Sequence, residues 1–508
     1  MSLRDAIKGF LYIYFFNKKG AFMKDRQYFL EKAQENMPKL FYKDIRPACE
    51  KEVFDIGESF VLDLGNHYVG KFSFSLDIFD DFIDAPAQLT IRFGENEREI
   101  NDDFSVYNGT ISRTWLQEET VFVDTPSRVE MPRRYACRYV KITVNDVRRP
   151  VRLFDFCFTS STSADMSKLE KADISDKLLK KIDEVSINTL KECMQTFFED
   201  GPKRDRRIWI GDFRLEALVN HCTFDNREIV KRCLYLFAAG DYGELGFLPS
   251  YIYETPYYFS GRDHLCDYAL LYVVTLCDYF DHSRDIETVN DILSVCKHQL
   301  DSFDAILDAK GIVTDHDGWF VFIDWCEGLR TLTSLQGVYL YTLERFSKLL
   351  AEIGDKDCEK YEKRLLESRK LAKKHLYNPE KGVFQNDLDG NQLSVHSQVW
   401  MILGGVISGD EGKKSLLATL DNPDAKQPFT PYMRHYVVEA MIKLGMLDEA
   451  KEYIKLIWGG MIDLGADTFY EVYVPGDPEF SPYRDRKINS LCHAWSCTPS
   501  YFIRKYFV

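Results

Sequence analysis

The spacing of apolar residues changes once along this chain, and that change divides it into two kinds of structure. The first part contains four segments in which apolar and polar residues alternate, at 72–78, 89–93, 140–144 and 154–158. A period of two places the apolar side chains on one face of an extended strand, which predicts half-buried antiparallel strands. We therefore predict an antiparallel β-sandwich over residues 50–160, preceded by a lead-in of residues 1–49 with a short helix.

Beyond a polar, small-residue linker at 160–165, apolar residues recur every three or four positions to the end of the chain. Leu178, Ile182 and Val185 show this helical spacing in a segment predicted to end near Phe198. About twelve helical segments are predicted in all, the last over 490–507. The helices show no repeat of fixed length, which disfavours an open solenoid. Twelve helices arranged in hairpin pairs predict an (α/α)6 barrel over residues 161–508, with a cleft lined by the loops at one end.

Charge and cysteine usage exclude several classes of function. The formal net charge of −15 opposes binding to nucleic acid or to an anionic membrane and favours a small or neutral partner. Thirteen cysteines stand as singles without a CxxC pair or a Cys/His spacing, so we expect no disulfide framework and no metal site. Aromatic residues make up 14% of the chain, which suits a large core or a sugar-binding cleft.

An apolar run at residues 9–16 is the one candidate for a targeting signal. It lacks a small-residue cleavage site, ends in Asn17-Lys-Lys19 and is too short to span a bilayer. Together with the unpaired cysteines, this predicts a cytoplasmic protein.

The stretch from residue 200 to residue 212 has an unusual density of charge. It holds three aspartates, three arginines, one lysine and one tryptophan within thirteen residues. Glycines and the tryptophan interrupt the charge, which favours the rim of an acid site that binds a sugar. A loop of Arg–Asp ion pairs that closes the barrel remains an equal alternative at this point.

Cleavage of a glycosidic bond requires two carboxyl groups, one to protonate the leaving oxygen and one to act as nucleophile or base. Asp205 stands among three arginines, and Asp200 and Asp212 could oppose their field. A second carboxylate, Glu471, follows an apolar segment, and His493 comes later, at the predicted start of the last helix. Taken singly, such a glutamate is compatible with the surface and such a histidine with the core.

Taken together and in this order, the motifs resemble those of the bacterial α-L-rhamnosidases, glycoside hydrolase family 78. The matching motifs are Asp200-x-Pro-x-Arg-Asp205, Trp209-x-Gly-Asp212, Gly465-Ala-x-Thr-x-x-Glu471 and Ser490-Leu-x-His493. Upstream, Asp63-Leu-Gly65, Gly70 and Arg138-Tyr-Val-Lys-Ile142 are similar to the β-sandwich module of that family. The resemblance covers the chain from about residue 55 onward.

The resemblance implies an inverting hydrolase of terminal α-L-rhamnosides with two acidic catalytic residues and no cofactor. Glu471 matches the general base directly. The acid matches less directly, because the family form Arg-Asp-Glu-Arg is replaced here by Arg204-Asp-Arg-Arg207. Counting from Asp200 places Arg206 at the acid position and predicts a sugar-binding protein without activity. Counting back from Trp209 places Asp205 there, and we favour this alignment because it keeps a carboxylate.

The same resemblance implies the residues that would bind the sugar. They are Asp200, Arg204 and Asp212 for the hydroxyl groups, Trp209 as a hydrophobic wall, His493 beside the sugar or the base, and Asp324 with Trp325, after Trp319, as a further wall. Core packing is an equal alternative for Trp325. The expected partner is a carbohydrate, and a related six-hairpin glycosidase with another sugar specificity remains an open alternative. Inversion predicts carboxyl groups of Asp205 and Glu471 about 6.5–9.5 Å apart.

Overall fold

The computed structural model of the chain describes residues 24–79, 85–314 and 321–508. The apolar run at 9–16 and Trp319 therefore lie outside the described residues. Among the described helices, none has both the length and the apolar character needed to cross a bilayer.

Eight antiparallel strands form the N-terminal domain within the described residues. They are β1 (Phe41–Ile45), β2 (Val53–Phe54), β3 (Ser59–Ile78), β4 (Ala87–Gly94), β5 (Glu118–Val123), β6 (Ser127–Glu130), β7 (Tyr135–Asp146) and β8 (Val151–Thr162). The first half of β3 pairs with β7, and its second half pairs with β8 and β6. The pairing with β7 is interrupted between Asp63 and Tyr68, where Gly65 adopts a φ of 80° that favours glycine. The long strand β3 thus belongs to both layers of the predicted sandwich.

Alternation places the core of this domain between the two layers. In β4 every second residue is buried, and Phe72, Phe74 and Phe93 belong to the same apolar cluster. The ring of Phe93 stacks on Tyr135 with centroids 3.7 Å apart. The strands span residues 41–162, so the sheet begins earlier than the predicted residue 50, because β1 pairs with the end of β8.

Helices make up most of the remainder. Within the described part of the chain, two precede the helical domain in sequence, α1 (Arg26–Glu35) and α2 (Glu97–Asn101). The helical domain itself comprises α3 (Lys177–Cys193), α4 (Ile210–His221), α5 (Arg227–Ala238), α6 (Cys266–Ser283), α7 (Ile286–Asp304), α8 (Leu332–Ile353), α9 (Cys358–Leu376), α10 (Val395–Leu403), α11 (Gly409–Leu420), α12 (Pro431–Lys443), α13 (Leu447–Ile454) continued by α14 (Gly460–Asp463), and α15 (Pro499–Tyr506). Helix α1 packs on α5, and its Phe29 and Ala33 join the core of the helical domain.

The helices close into a ring. Helices α4, α6, α8, α10 and α12 pack each against the next, and the turn Ala494–Ser496 closes the ring between α12 and α4. Every residue of α4 before its last is buried, whereas α9 buries only one face and carries lysines on the other. An inner ring of buried helices within an outer ring of amphipathic ones is the predicted (α/α)6 barrel.

Two predicted helix ends were wrong. The last helix was expected over 490–507 but begins at Pro499, and His493 is extended, with φ −133° and ψ 128°. The peptide groups before Pro499 pair with distant segments instead, since the His493 N–H donates to the carbonyl of Phe469. Similarly, the helix expected to end near Phe198 ends at Cys193, because a β-bridge follows.

Candidate active site

The charged stretch of residues 200–212 forms a loop that closes around Asp200. The Asp200 carboxylate accepts a hydrogen bond from the Arg207 N–H at 3.0 Å, and the Asp205 N–H lies 3.5 Å from its other oxygen. The Asp200 N–H in turn donates to the carbonyl of Arg207. The Ala494 N–H donates to the Asp200 carbonyl at 2.7 Å, which brings the C-terminal segment against the loop.

Arg204 connects the two predicted catalytic carboxylates. One nitrogen of its guanidinium lies 3.7 Å from the Asp205 carboxylate, and another lies 2.5 Å from the Glu471 carboxylate. Its Nε donates to the carbonyl of Ile488 at 3.1 Å. Since one planar guanidinium contacts both acids, the loop and the C-terminal segment place Asp205 and Glu471 in a single site.

Glu471 is buried and held by several donors. Besides Arg204, the Tyr483 hydroxyl donates to its Oε1 at 2.5 Å and the Ser490 N–H to its Oε2 at 3.3 Å. The Trp495 indole N–H fixes the backbone by donating to the Glu471 carbonyl at 2.9 Å. These contacts fix the orientation of the carboxylate, which a general base requires.

Two further acids of the charged stretch, Asp200 and Asp212, lie in surroundings that favour their protonated forms. Burial, followed by the charge of the nearby Asp205, raises the pKa of Asp200 to about 8. Burial, followed by the charge of Asp200, raises the pKa of Asp212 well above its usual range. His493 lies 3.4 Å from Asp212, and burial and the positive Arg204 lower the pKa of His493 well below its usual value. Asp212 and His493 therefore form a neutral pair that can offer hydrogen bonds to a neutral ligand.

Trp209 is held against aromatic neighbours at the start of α4. Its strand β9 (Ile208–Trp209) pairs with β10 (Tyr251–Tyr253), and its ring lies 4.6 Å from the ring of Tyr251. The side chain remains only partly buried. An apolar ring fixed in this way provides a wall on which the apolar face of a sugar can pack.

The carboxylate of Asp324 is hydrogen-bonded to other groups of the chain. Its side chain is 0% exposed, and its carboxylate lies 2.8 Å from the His396 Nε2. It also accepts hydrogen bonds from Thr430 and from the N–H groups of Phe429 and Trp325. The Asp324 carboxylate thus joins the backbone of Trp325 to His396 and to the Phe429–Thr430 segment.

Trp325 lies on the Glu471 side of the site. Its ring meets Phe322 edge-on at 5.2 Å and Tyr483 at 6.0 Å. Its indole N–H has no acceptor in the part of the chain that the structure describes. The same Tyr483 donates to Glu471, so Trp325 and the predicted base share a neighbour.

Arg206 points away from these groups. Its guanidinium donates to the carbonyl of Pro202 at 2.8 Å and to the carbonyl of Arg134 in the β-domain at 2.7 Å. Its backbone has a φ of 63°, which turns the side chain to the opposite side of the loop. Arg206 therefore joins the loop to the β-domain.

Both domains match models of known families. Residues 32–162 match the N-terminal domain of glycosyl hydrolase family 78 α-rhamnosidases, and residues 169–507 match the six-hairpin glycosidase domain of bacterial α-L-rhamnosidases. The chain belongs to glycoside hydrolase family 78. It is therefore a glycoside hydrolase that acts on a carbohydrate.

Solved structures agree with this assignment. A rhamnosidase from Klebsiella oxytoca with rhamnose bound is 35% identical, with a TM-score of 0.91 over 96% of this chain and 100% of that one. A family 78 rhamnosidase of Bacillus sp. GL1 is 24% identical, with a TM-score of 0.74 over 90% of this chain and 48% of its own. An α-L-rhamnosidase of Streptomyces avermitilis complexed with L-rhamnose is 16% identical, with a TM-score of 0.68 over 92% and 44%. No curated protein sequence matches the chain.

A buried ion cluster connects the β-domain to the helical domain. It was not predicted from the sequence. Lys203, in the charged loop, donates to Glu99 at 2.5 Å and lies 3.4 Å from Glu95, and both acids belong to the β-domain. It also donates to the carbonyl of Asn489, and Glu95 accepts from the Leu491 N–H at 2.7 Å. We call Glu95, Glu99 and Lys203 the interdomain clamp.

The interdomain clamp holds both sides of the site. Lys203 precedes Arg204, and Asn489 and Leu491 flank Ser490, whose N–H contacts Glu471. All three clamp side chains are buried. Burial opposes a charged His67, but Cys492, Glu95 and Glu192 together raise the pKa of His67 to about 9, so a second cation adjoins the clamp. In the sequence, Glu95 and Glu99 carry no apolar pattern that would distinguish them from surface charges.

The raised pKa of Asp200 has a consequence for stability. An acid with a higher pKa in the folded state holds its proton more tightly there, so its contribution to the free energy of unfolding falls as pH rises from about 4 to about 8. We expect Asp200→Asn to flatten this part of the curve, because an amide has no proton to lose. Thermal melts at pH 5, 6.5 and 8 measure the slope. An unchanged slope in the variant would show that Asp200 is ionised in the folded protein.

Proposed function

We propose that this chain hydrolyses terminal α-L-rhamnosides with inversion, Asp205 acting as general acid and Glu471 as general base. The observation that carries the proposal is the guanidinium of Arg204, which contacts both carboxylates, at 3.7 and 2.5 Å. Both contacts are made by one guanidinium, so the two carboxyl groups belong to the same site. Inversion further requires that these carboxyl groups lie roughly 6.5–9.5 Å apart.

The similarity to the Klebsiella oxytoca protein supports rhamnose as the sugar. That protein holds rhamnose, and the two chains match over almost their entire lengths. In this proposal Arg204, Asp200 and Asp212 bind sugar hydroxyl groups, and His493 contacts the sugar beside Asp212. Protonated Asp200 and Asp212 suit this role because a carboxylic acid both donates and accepts a hydrogen bond.

The side chains of Glu471 and Asp205 differ in solvent exposure. Glu471 has a side chain that is 2% exposed, whereas the side chain of Asp205 is 22% exposed. In the reaction, Asp205 gives its proton to the glycosidic oxygen as the bond to the anomeric carbon breaks. Glu471 takes a proton from the water that attacks the opposite face of that carbon. Trp209 and Trp325 pack against the apolar faces of the sugar, and Asp324 holds Trp325 in place.

The orientation of Arg206 favours this proposal over a sugar-binding protein without activity. That alternative places Arg206 at the acid position, facing the ligand. Its guanidinium is instead bound to two carbonyl groups, one of them in the β-domain. Asp205, the residue before Arg206, has its carboxylate 3.7 Å from the guanidinium of Arg204 and therefore lies on the Glu471 side of the loop.

Substitution of Asp205 should depend on the leaving group. We expect Asp205→Asn to lower kcat on an alkyl rhamnoside by about 10²- to 10⁴-fold. The loss should be much smaller on a dinitrophenyl rhamnoside, because its leaving oxygen departs without protonation. Steady-state kinetics on both substrates measures the difference, and Asp463→Asn, the same substitution at an exposed position of α14, is the control that should leave kcat unchanged. An equal loss on the two substrates would assign Asp205 a role other than proton donation.

A panel of nitrophenyl glycosides tests the sugar specificity. We expect α-L-rhamnoside to be cleaved with the highest kcat/KM among pyranosides of rhamnose, mannose, glucose and galactose. A preference for another sugar would favour the alternative of a related six-hairpin glycosidase.

The cysteines support a cytoplasmic location, which we also propose. All thirteen are free thiols in the described residues, and most are buried. Two of them, Cys193 and Cys492, have sulfur atoms 4.0 Å apart without a disulfide. Such a pair is stable as thiols in a reducing compartment.

A further inference from the structure

Three potential metal ligands meet at the end of the barrel opposite the candidate active site. His221 is the last residue of α4, Asp225 lies in the loop that follows, and His282 lies in the last turn of α6. Their ligand atoms all lie within 4.8 Å of one another. Asp212 lies nine residues before His221 on α4, about 14 Å away at 1.5 Å per residue. The cluster is therefore separate from the catalytic groups.

His221 has ring nitrogens that the protein leaves unused. Both are buried, and neither has a hydrogen-bond partner among the described residues. A neutral imidazole carries a lone pair on one of its two ring nitrogens, and this lone pair can bind a metal ion. A buried polar atom without a partner is unfavourable, and a metal ion is one partner that satisfies an imidazole nitrogen.

His282 and Asp225 make the cluster accessible. Their side chains are 31% and 47% exposed, and the His282 Nε2 lies 2.8 Å from the Asp225 carboxylate. The rings of His221 and His282 lie 4.4 Å apart. Both histidines line a cavity of about 520 Å³. An ion can thus enter from solvent through the exposed side of the cluster.

We propose that His221, Asp225 and His282 bind a divalent ion of the zinc class. Two neutral imidazoles and one carboxylate suit Zn²⁺, Ni²⁺ or Cu²⁺, whereas Mg²⁺ and Ca²⁺ require oxygen ligands. To bind the ion, His282 turns its Nε2 from Asp225 toward the metal. Bound there, the ion joins the end of α4 to the end of α6 and stabilises this end of the barrel.

Arg227 provides an internal test of the site. Its guanidinium contacts both oxygens of Asp225, at 3.1 and 3.2 Å. A cation in this position repels a metal ion and competes for the carboxylate. Removing the charge in Arg227→Gln should therefore tighten metal binding, and a cluster that does not bind the ion would show no such effect.

Calorimetric titration of ZnCl₂ into the tag-free, chelator-treated full chain tests the proposal. We expect one saturable ion per chain and a higher melting temperature, with no response to MgCl₂. His221→Phe keeps the stacked ring but removes the nitrogens and should weaken Zn²⁺ binding at least tenfold, as should the exposed His282→Gln. His375→Gln, a histidine on α9, is the matched control and should bind as the wild type does.

Two results would overturn the site. One is the absence of saturable Zn²⁺ binding by the wild-type chain. The other is binding that His282→Gln leaves unchanged while circular dichroism shows the same fold. Visible absorption of the Co²⁺-loaded chain gives an independent measurement, since its bands report the ligands and should disappear in both variants.

Discussion

Glu471→Gln is expected to lower kcat on an aryl α-L-rhamnoside by about 10²- to 10⁴-fold. A glutamine side chain cannot take a proton from the attacking water. Its carbonyl oxygen can still accept from Arg204, and its NH2 group can donate to the Tyr483 hydroxyl oxygen, so the binding of substrate, and hence KM, should change far less than kcat. Steady-state kinetics of the purified variant measures both constants.

The matched control for this variant is Glu449→Gln, the same substitution on the exposed surface of α13. It should leave kcat and KM unchanged. A melting temperature of Glu471→Gln within a few degrees of the wild type separates lost chemistry from lost folding. A folded Glu471→Gln variant with normal kcat would remove Glu471 from the mechanism.

The interdomain clamp gives the largest expected effect on stability. Lys203→Met leaves Glu95 and Glu99 buried without their shared cation. Breaking a buried ion pair by removing one partner costs about 3–5 kcal/mol of folding free energy. We expect a corresponding fall in the urea midpoint. We also expect a lower kcat, because Lys203 and Glu95 hold the chain on both sides of the Glu471 contact.

Three further variants test whether the effect comes from the clamp. Lys203→Arg keeps the charge and should recover most of the stability. Adding Glu99→Gln to Lys203→Met removes an unpaired acid, so the double variant should be more stable than the sum of the two single effects. Lys374→Met, on the exposed face of α9, should unfold as the wild type does. Strict additivity of the two clamp substitutions would argue against a direct interaction.

The architecture could be predicted from the sequence because both parts have a regular period. Alternation gave the strands of the sandwich, and spacings of three and four residues gave the helices of the ring. The errors fall where tertiary contacts determine the backbone. Residues 490–496 have an apolar pattern that suits a helix, yet their N–H and C=O groups pair with Phe469 and Glu471, so α15 begins only at Pro499.

The candidate site could be predicted where its residues belong to short sequence motifs. The structure brings Asp200, Arg204, Asp205, Asp212, Glu471 and His493 together, through contacts between segments more than 200 residues apart in sequence. Asp324 illustrates the limit, because the sequence could not show that its carboxylate is surrounded by donors from other helices. The clamp acids were missed for the same reason, since their cation is more than a hundred positions away.

The stereochemistry of the first product tests the central claim most directly. Proton NMR spectra recorded within the first minutes of hydrolysis of an aryl α-L-rhamnoside show the anomeric signal of the released sugar before it equilibrates. Direct attack by water activated by Glu471 predicts that β-L-rhamnose forms first and then mutarotates to the α form. Initial release of α-L-rhamnose would contradict the account, because retention requires a covalent intermediate on one of the two carboxylates.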